Sequence, residues 1–293
     1  MRDAAQLAVD APGPGAARAA AVLADLLASS GIAIRRTGSA VLAWPNAELP
    51  LSLDAWEAER PLGDDPLAFA FRGLHGGLVR DSWATPVDDV RQRVAEWARS
   101  ERLRIAPAWP GDATCAVALV HEALAPRRPR AGLRGALGRR RADDPLLAYR
   151  RVAEAERAVG AAGAVRSADL LTPEEQAHVH ALGLDLAAGA NVRIASRPGF
   201  GRGTAFPTRG YDRAAERVDS WAELPLLGAE PGPGLAVLLE RGGAAALALP
   251  IAAFDGDGGA DAAAAYAADL ERLRALGAWL TTPEALAAHL YAG

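Results

Sequence analysis

The stretch "CAVALVHEAL", residues 115–124, decides the predicted fold. Residues 115–120 form a short, uninterrupted apolar run, which is typical of a strand buried on both faces of a parallel sheet. His121 and Glu122 follow at once, and both side chains can take part in acid–base chemistry. This order is typical of a buried strand that leads into an active site.

Strands and helices alternate from this stretch to the end of the chain. Helices are predicted at 143–160, 172–183, 234–241, 259–276 and 283–289. The clearest helix start is a capping box between Thr172 and Glu175 with Pro173 in the first turn. Strands are predicted in "AVRSADLL", "LDLAAGANVRIA", "LPLLG", "AAALALPIAAF" and "AWLTT". The alternation predicts an α/β protein with mainly parallel strands.

A second, smaller unit is predicted before residue 108. A strand at 4–10, a helix at 16–29 and two short strands, "GIAIRRTG" and "SAVLAWP", form a β-α-β opening. An amphipathic helix follows at 85–104, and the pattern breaks at 106–114. We therefore predict an accessory α/β domain over residues 1–108 and a second domain over residues 112–293.

Composition and charge narrow the class of protein. The net charge of −4 gives no argument for nucleic acid or a membrane surface as partner. The single cysteine, Cys115, excludes an internal disulfide. The first residues lack the apolar core of a signal peptide, and no apolar run reaches the roughly 18 residues of a membrane span. We expect a cytoplasmic protein.

Four stretches carry a resemblance to a known family: "VHEAL" (120–124), "RPGFGRGTAFP" (197–207), "AELPL" (222–226) and "GAWLTTPEALAAHL" (277–290). In this order they resemble the polysaccharide deacetylases, the NodB-homology domain of carbohydrate esterase family four. The resemblance covers residues 112–293. It implies a distorted (β/α) barrel, shortened in this chain, with the active site at the carboxyl ends of the strands.

The family's chemistry is hydrolysis of an amide or ester on an acetylated sugar. A divalent metal such as zinc, bound by one aspartate and two histidines, polarises the carbonyl, while an aspartate acts as base and a histidine as acid. By this resemblance Glu122 occupies the position of the base and Leu124 that of the metal-binding aspartate. Pro250 lies near the position of the acid, and the paired metal histidines have no counterpart. The resemblance therefore implies a lost metal centre and no cofactor.

The remaining candidate site residues are catalytic and substrate-binding. Glu122 and His121 are the catalytic candidates, and Arg197 or Arg202 is expected to orient Glu122. Phe200 and Trp221 form either a sugar-stacking wall or part of the core. His178 and His180 point to opposite sides of a predicted helix, so they predict no metal pair unless that segment is a strand.

Residues 126–141 carry seven arginines and no acidic residue. This segment either binds an anionic polymer, a phosphate group or a protein partner, or is a solvated loop. Three functions stay open. The first is a deacetylase-like protein without its metal centre that binds a carbohydrate, an anionic ligand or a protein. The second is an active, divergent hydrolase that uses Glu122. The third is an interaction protein that docks through residues 126–141.

Overall fold

A computed structural model of the chain describes residues 6–9, 33–34, 41–42, 83–85, 87–88, 91–92, 95–96, 99, 105, 107–124, 146–187, 192–201, 203–212, 217–228 and 232–291. Three sequence predictions fall outside the described residues: the helix at 16–29, the arginine segment 126–141 and the role of Arg202.

Three short parallel strands open the chain. They are β1 (Gln6–Val9), β2 (Ala33–Ile34) and β3 (Val41–Leu42), in the order β2-β1-β3. The strands of the predicted β-α-β opening are confirmed, since all three lie in the segments that the sequence assigned to strands.

A second, larger sheet begins with β4, the strand that the opening stretch predicted. Its members are β4 (Cys115–Glu122), β5 (Ala164–Arg166), β6 (Asp185–Leu186), β7 (Val192–Pro198), β8 (Thr208–Asp212), β9 (Arg217–Leu227), β10 (Ala244–Pro250) and β11 (Ala278–Thr281). The order is β6-β5-β4-β10-β9-β7, with β11 paired to β4 and β8 to β9. Every strand pairing is parallel except that of β8 with β9.

β4 is the centre of this sheet. β10 pairs with one edge of β4 from Ala116 to Glu122. The other edge of β4 pairs with β11 near its start and with β5 near its end. The prediction of an α/β protein with mainly parallel strands is confirmed. The predicted closure into a barrel is not seen: the strands that the structure describes form an open sheet that ends at β6 and β7.

Five helices of the described chain accompany this sheet: α1 (Leu147–Ala158), α2 (Pro173–Ala181), α3 (Gly232–Arg241), α4 (Gly259–Ala275) and α5 (Pro283–Tyr291). The capping box of α2 is present, since Thr172 Oγ1 accepts from the Glu175 backbone N–H and Glu175 Oε2 accepts from the Thr172 N–H. Within the described ranges, no helix is long and apolar enough to cross a membrane.

Side chains of β4 alternate between two hydrophobic clusters. Cys115, Val117 and Leu119 lie in the first cluster with residues of α1, α3 and α4. Ala116, Ala118 and Val120 lie in the second, with Trp109, Phe206 and Leu286 of α5. Because strand side chains alternate, the next residue, His121, points to the first face and Glu122 to the second.

Residues before the predicted domain boundary pack against the second unit. Asp88 Oδ1 accepts from Thr204 Oγ1 at 2.6 Å, and its Oδ2 accepts from the Ala205 backbone N–H at 2.8 Å. Burial raises the pKa of the Asp88 carboxyl, and the charge of Arg91 opposes that shift. Residues of the helix predicted at 85–104 therefore contact the unit that contains the larger sheet. The domain boundary between residues 108 and 112 stays a prediction.

Candidate functional site

Glu122 ends β4 at the carboxyl edge of the sheet, where ligands of parallel α/β sheets bind. Arg166, the last residue of β5, is its register partner and donates from Nε to Glu122 Oε1. Ser167 donates from Oγ to Glu122 Oε2 at 3.3 Å. Both charged side chains are about one third exposed, at 35% and 38%. The edge therefore presents a carboxylate and a guanidinium side by side to solvent.

The backbone beyond Arg166 is strained. Ser167 has a φ of 59°, a left-handed conformation that is uncommon for a residue with a Cβ. Its hydroxyl is one of the two donors to Glu122. The sequence prediction missed Arg166 and Ser167, although the charged and hydroxyl residues directly after the short strand "AVR" were a usable signal.

Leu124, two residues after Glu122, is partly buried at the edge of the core. Its side chain packs against the first hydrophobic cluster. The Leu124 N–H donates to Tyr149 Oη at 2.9 Å, and the Tyr149 hydroxyl donates to the Leu124 carbonyl at 2.8 Å. Burial raises the pKa of the Tyr149 hydroxyl, so it stays protonated at neutral pH. An apolar side chain therefore fills the position that the resemblance assigns to a metal ligand.

Pro250 is the register partner of Glu122 on the other side of β4. It ends β10 and is exposed. Proline carries no ionisable group and no backbone N–H. The neighbours of Glu122 on the two adjacent strands are thus a cation on β5 and a residue without acid–base chemistry on β10.

His121 belongs to a buried network on the opposite face. Its Nε2 lies 2.7 Å from Glu156 Oε1, and the side chains of His121 and Glu156 are 0% and 1% exposed. The same oxygen accepts from the Tyr266 hydroxyl at 2.9 Å, while Oε2 accepts from the Gly163 N–H at 2.7 Å. Burial, and then the charge of Glu156, raises the pKa of Tyr266 well above its usual value. The two catalytic candidates, His121 and Glu122, therefore face opposite sides of the sheet.

The predicted sugar-binding residues are dispersed. Arg197 is exposed on β7, which lies three strand spacings from β4, or about 14 Å. No hydrogen bond or ion pair joins Arg197 to Glu122 in the described structure, and Arg166 takes the expected orienting position. Phe200 is fully buried edge-to-face against Trp83, so it belongs to the core and not to a stacking wall.

Trp221 is half-buried on β9. The guanidinium of Arg193 lies 4.2 Å from the centre of its ring.

The helix that the sequence predicted around His178 and His180 is confirmed as α2, and both side chains are exposed on it. Among the described residues, no group of three or more His, Cys, Asp or Glu side chains could hold a metal ion.

A cleft of about 690 Å³ lies at the other end of the sheet. Its walls are Asp112, Ala113 and Thr114 before β4, Gly242 before β10, and helical residues between 88 and 99. Because these residues precede the strands, the cleft opens at the amino edge. This cleft and the charged pair of Glu122 and Arg166 are therefore at opposite edges of the sheet.

Fold and site define an α/β protein with a mainly parallel sheet and a charged pair at its carboxyl edge. Comparison with family models, with curated proteins and with solved structures finds no significant match.

Proposed function

We propose that the chain is a polysaccharide deacetylase-like protein that has lost the metal-dependent deacetylase centre and binds a sugar at the carboxyl edge of its sheet. The observation that carries the proposal is that Leu124, at the position that the resemblance assigns to the metal-binding aspartate, packs against the first hydrophobic cluster. A leucine side chain has no donor atom for a metal, and this one is partly buried by apolar neighbours. The proposal requires the parallel order of the strands but not a closed barrel.

The pair of Glu122 and Arg166 supplies polar groups that a sugar can bind. Arg166 and Ser167 both donate to the carboxylate and hold it at the carboxyl edge. A carboxylate beside a guanidinium offers hydrogen-bond acceptors and donors to the hydroxyl and amide groups of a sugar.

Calorimetric titration with an acetylated chitooligosaccharide tests the proposal on the full chain. Removing one charge-assisted hydrogen bond costs about 1.5 kcal/mol, so Glu122→Gln and Arg166→Gln should each weaken binding roughly tenfold. Glu271→Gln is the matched control, because Glu271 is exposed on α4, away from the edge. The control should stay within about twofold of the unchanged chain. Equal affinity of all four proteins, or no binding by any, would contradict the proposal.

A second candidate is an active, divergent hydrolase that uses Glu122 as base. It is favoured by the partial exposure of the Glu122 carboxylate at the carboxyl edge. In this case Glu122→Gln should abolish acetate release from the acetylated oligosaccharide while the melting temperature changes by only a few degrees. A rate that is unchanged in this variant would remove the second candidate.

A further inference from the structure

The face of β7 and β9 opposite α5 carries two arginines, and one of them lies over an aromatic ring. Val192, Ile194 and Leu224 pack on the second hydrophobic cluster, the side on which α5 lies. Arg193 and Glu223 are register partners. Because side chains alternate along a strand, Arg193, Glu223 and Trp221 lie on the opposite side of the sheet. We call the surface of Arg193, Arg197 and Trp221 the arginine face.

Arg193 contacts an aromatic ring. Its guanidinium carbon lies 4.2 Å from the centre of the Trp221 ring, which is within the range of a cation–π contact. In the part of the chain that the structure describes, no carboxylate forms an ion pair with Arg193 or Arg197, and both side chains are exposed. Glu223, the register partner of Arg193, is half-buried on the same face.

The second arginine lies further along the same strand. The pairing of β7 with β9 is irregular between Ile194 and Pro198, and Pro198 is the register partner of Leu226, so its neighbour Arg197 lies on the side opposite Leu226, as Arg193 does. The Cα atoms of the two arginines are at most about 13 Å apart, with Ala195 between them on the strand. A row of separated cations beside an indole suits a linear ligand with repeated anionic groups better than a single small anion.

We propose that the arginine face binds an acidic polysaccharide, a sugar chain with carboxylate or sulfate groups. A guanidinium that stacks on an indole keeps its N–H groups directed outward, where they can bind a carboxylate through two hydrogen bonds. Trp221 is half-buried, and its ring contacts Arg193 at this surface. The inference rests on the proposed function only in taking a glycan as the ligand.

Fluorescence anisotropy with a labelled polygalacturonate oligomer tests this on the full chain. Arg193→Gln/Arg197→Gln should weaken binding at least about tenfold, since each lost charge-assisted contact costs about 1.5 kcal/mol or more before screening. The control is Arg157→Gln/Arg272→Gln, which removes the same charge from α1 and α4, where both arginines are exposed. It should change the affinity by less than about twofold. Trp221→Phe should bind better than Trp221→Ala, because it keeps a ring under Arg193.

Three results would overturn the inference: equal weakening in the control, equal binding of a neutral chitooligosaccharide to the arginine face, or tighter binding of a single-stranded DNA of the same charge. The proposed function has a separate test and can fail independently of this inference. Its test is chitooligosaccharide binding in Glu122→Gln and Arg166→Gln, and these variants should leave the affinity for polygalacturonate unchanged.

Discussion

His121 and Glu122 are adjacent in the chain, yet their side chains lie on opposite faces of the central sheet. His121 is buried and lies 2.7 Å from Glu156, whereas Glu122 is one third exposed and pairs with Arg166. The alternation of a strand produces this separation, because β4 continues through both residues and does not end before them. One residue therefore stabilises the fold, and its neighbour is available for a ligand.

The free energy of unfolding should fall much more on substitution of His121 than on substitution of Glu122. His121→Ala leaves the buried Glu156 carboxylate without one partner, and breaking a buried pair in this way costs about 3–5 kcal/mol. Glu122→Gln breaks a partly exposed ion pair and should cost about 1 kcal/mol or less. Urea unfolding of both variants measures the difference. Losses within about 1 kcal/mol of one another would show that His121 has no special structural role.

Gly163 should tolerate no side chain. A Cβ at this position would lie 2.6 Å from Glu156 Oε1 and 2.8 Å from His121 Nε2. Gly163→Ala must therefore shift the buried network, and overpacking of this kind costs about 1–3 kcal/mol. Gly201→Ala is the control, since a Cβ there meets nothing within 4 Å. The free energy of unfolding of the control should change by no more than about 0.5 kcal/mol, and an equal loss in both variants would refute the expected clash.

Cys115 should be unreactive in the folded protein. Burial raises the pKa of its thiol from 9.0 to about 11. Since the thiolate is the reactive form, alkylation at about pH 8 should be roughly 100-fold slower in the native chain than in the unfolded chain. Iodoacetamide labelling, followed by mass spectrometry with and without guanidinium chloride, measures both rates. Equal rates would contradict the buried position of Cys115.

The same thiol should make stability depend on alkaline pH. Its pKa is higher in the folded state, so the folded state holds the proton more strongly than the unfolded state. The resulting stability is complete below about pH 9 and is lost as the pH rises towards about 11. Cys115→Ala should flatten this part of the pH profile of unfolding; an unchanged profile would refute the assignment.

The capping box of α2 gives a prediction that the sequence alone supports. Thr172→Ala removes the acceptor for the Glu175 N–H and should cost about 1 kcal/mol. Thr172→Ser keeps a hydroxyl at the same place and should cost a few tenths of a kcal/mol at most. If chemical denaturation gives the same loss for both substitutions, the hydroxyl does not cap the helix.

Local chemistry explains which parts of the fold could be predicted. The apolar run of β4 and the capping box of α2 depend on residues close in sequence, and both are confirmed. The partners of His121 and Glu122 could not be found in this way. Glu156 is 35 residues from His121, and Arg166 is 44 residues from Glu122. Each pair depends on which strand or helix lies beside β4.

The roles of single residues were less predictable for the same reason. The sequence left Phe200 open between a sugar-stacking wall and the core, and its ring is fully buried against Trp83. Its burial depends on a residue more than a hundred positions earlier in the chain. The alternation of strands and helices fits a layered sheet and a barrel equally, the family resemblance favoured the barrel, and the described strands form an open sheet.

Zinc content and acetate release, measured on one sample of the full chain after incubation with zinc and gel filtration, test the central claim most directly. Because Leu124 packs against the hydrophobic cluster at the position that the resemblance assigns to a metal ligand, we predict far less than one zinc ion per chain and no acetate release from acetylated chitooligosaccharides above the protein-free rate. One tightly bound zinc ion per chain together with turnover would contradict the account.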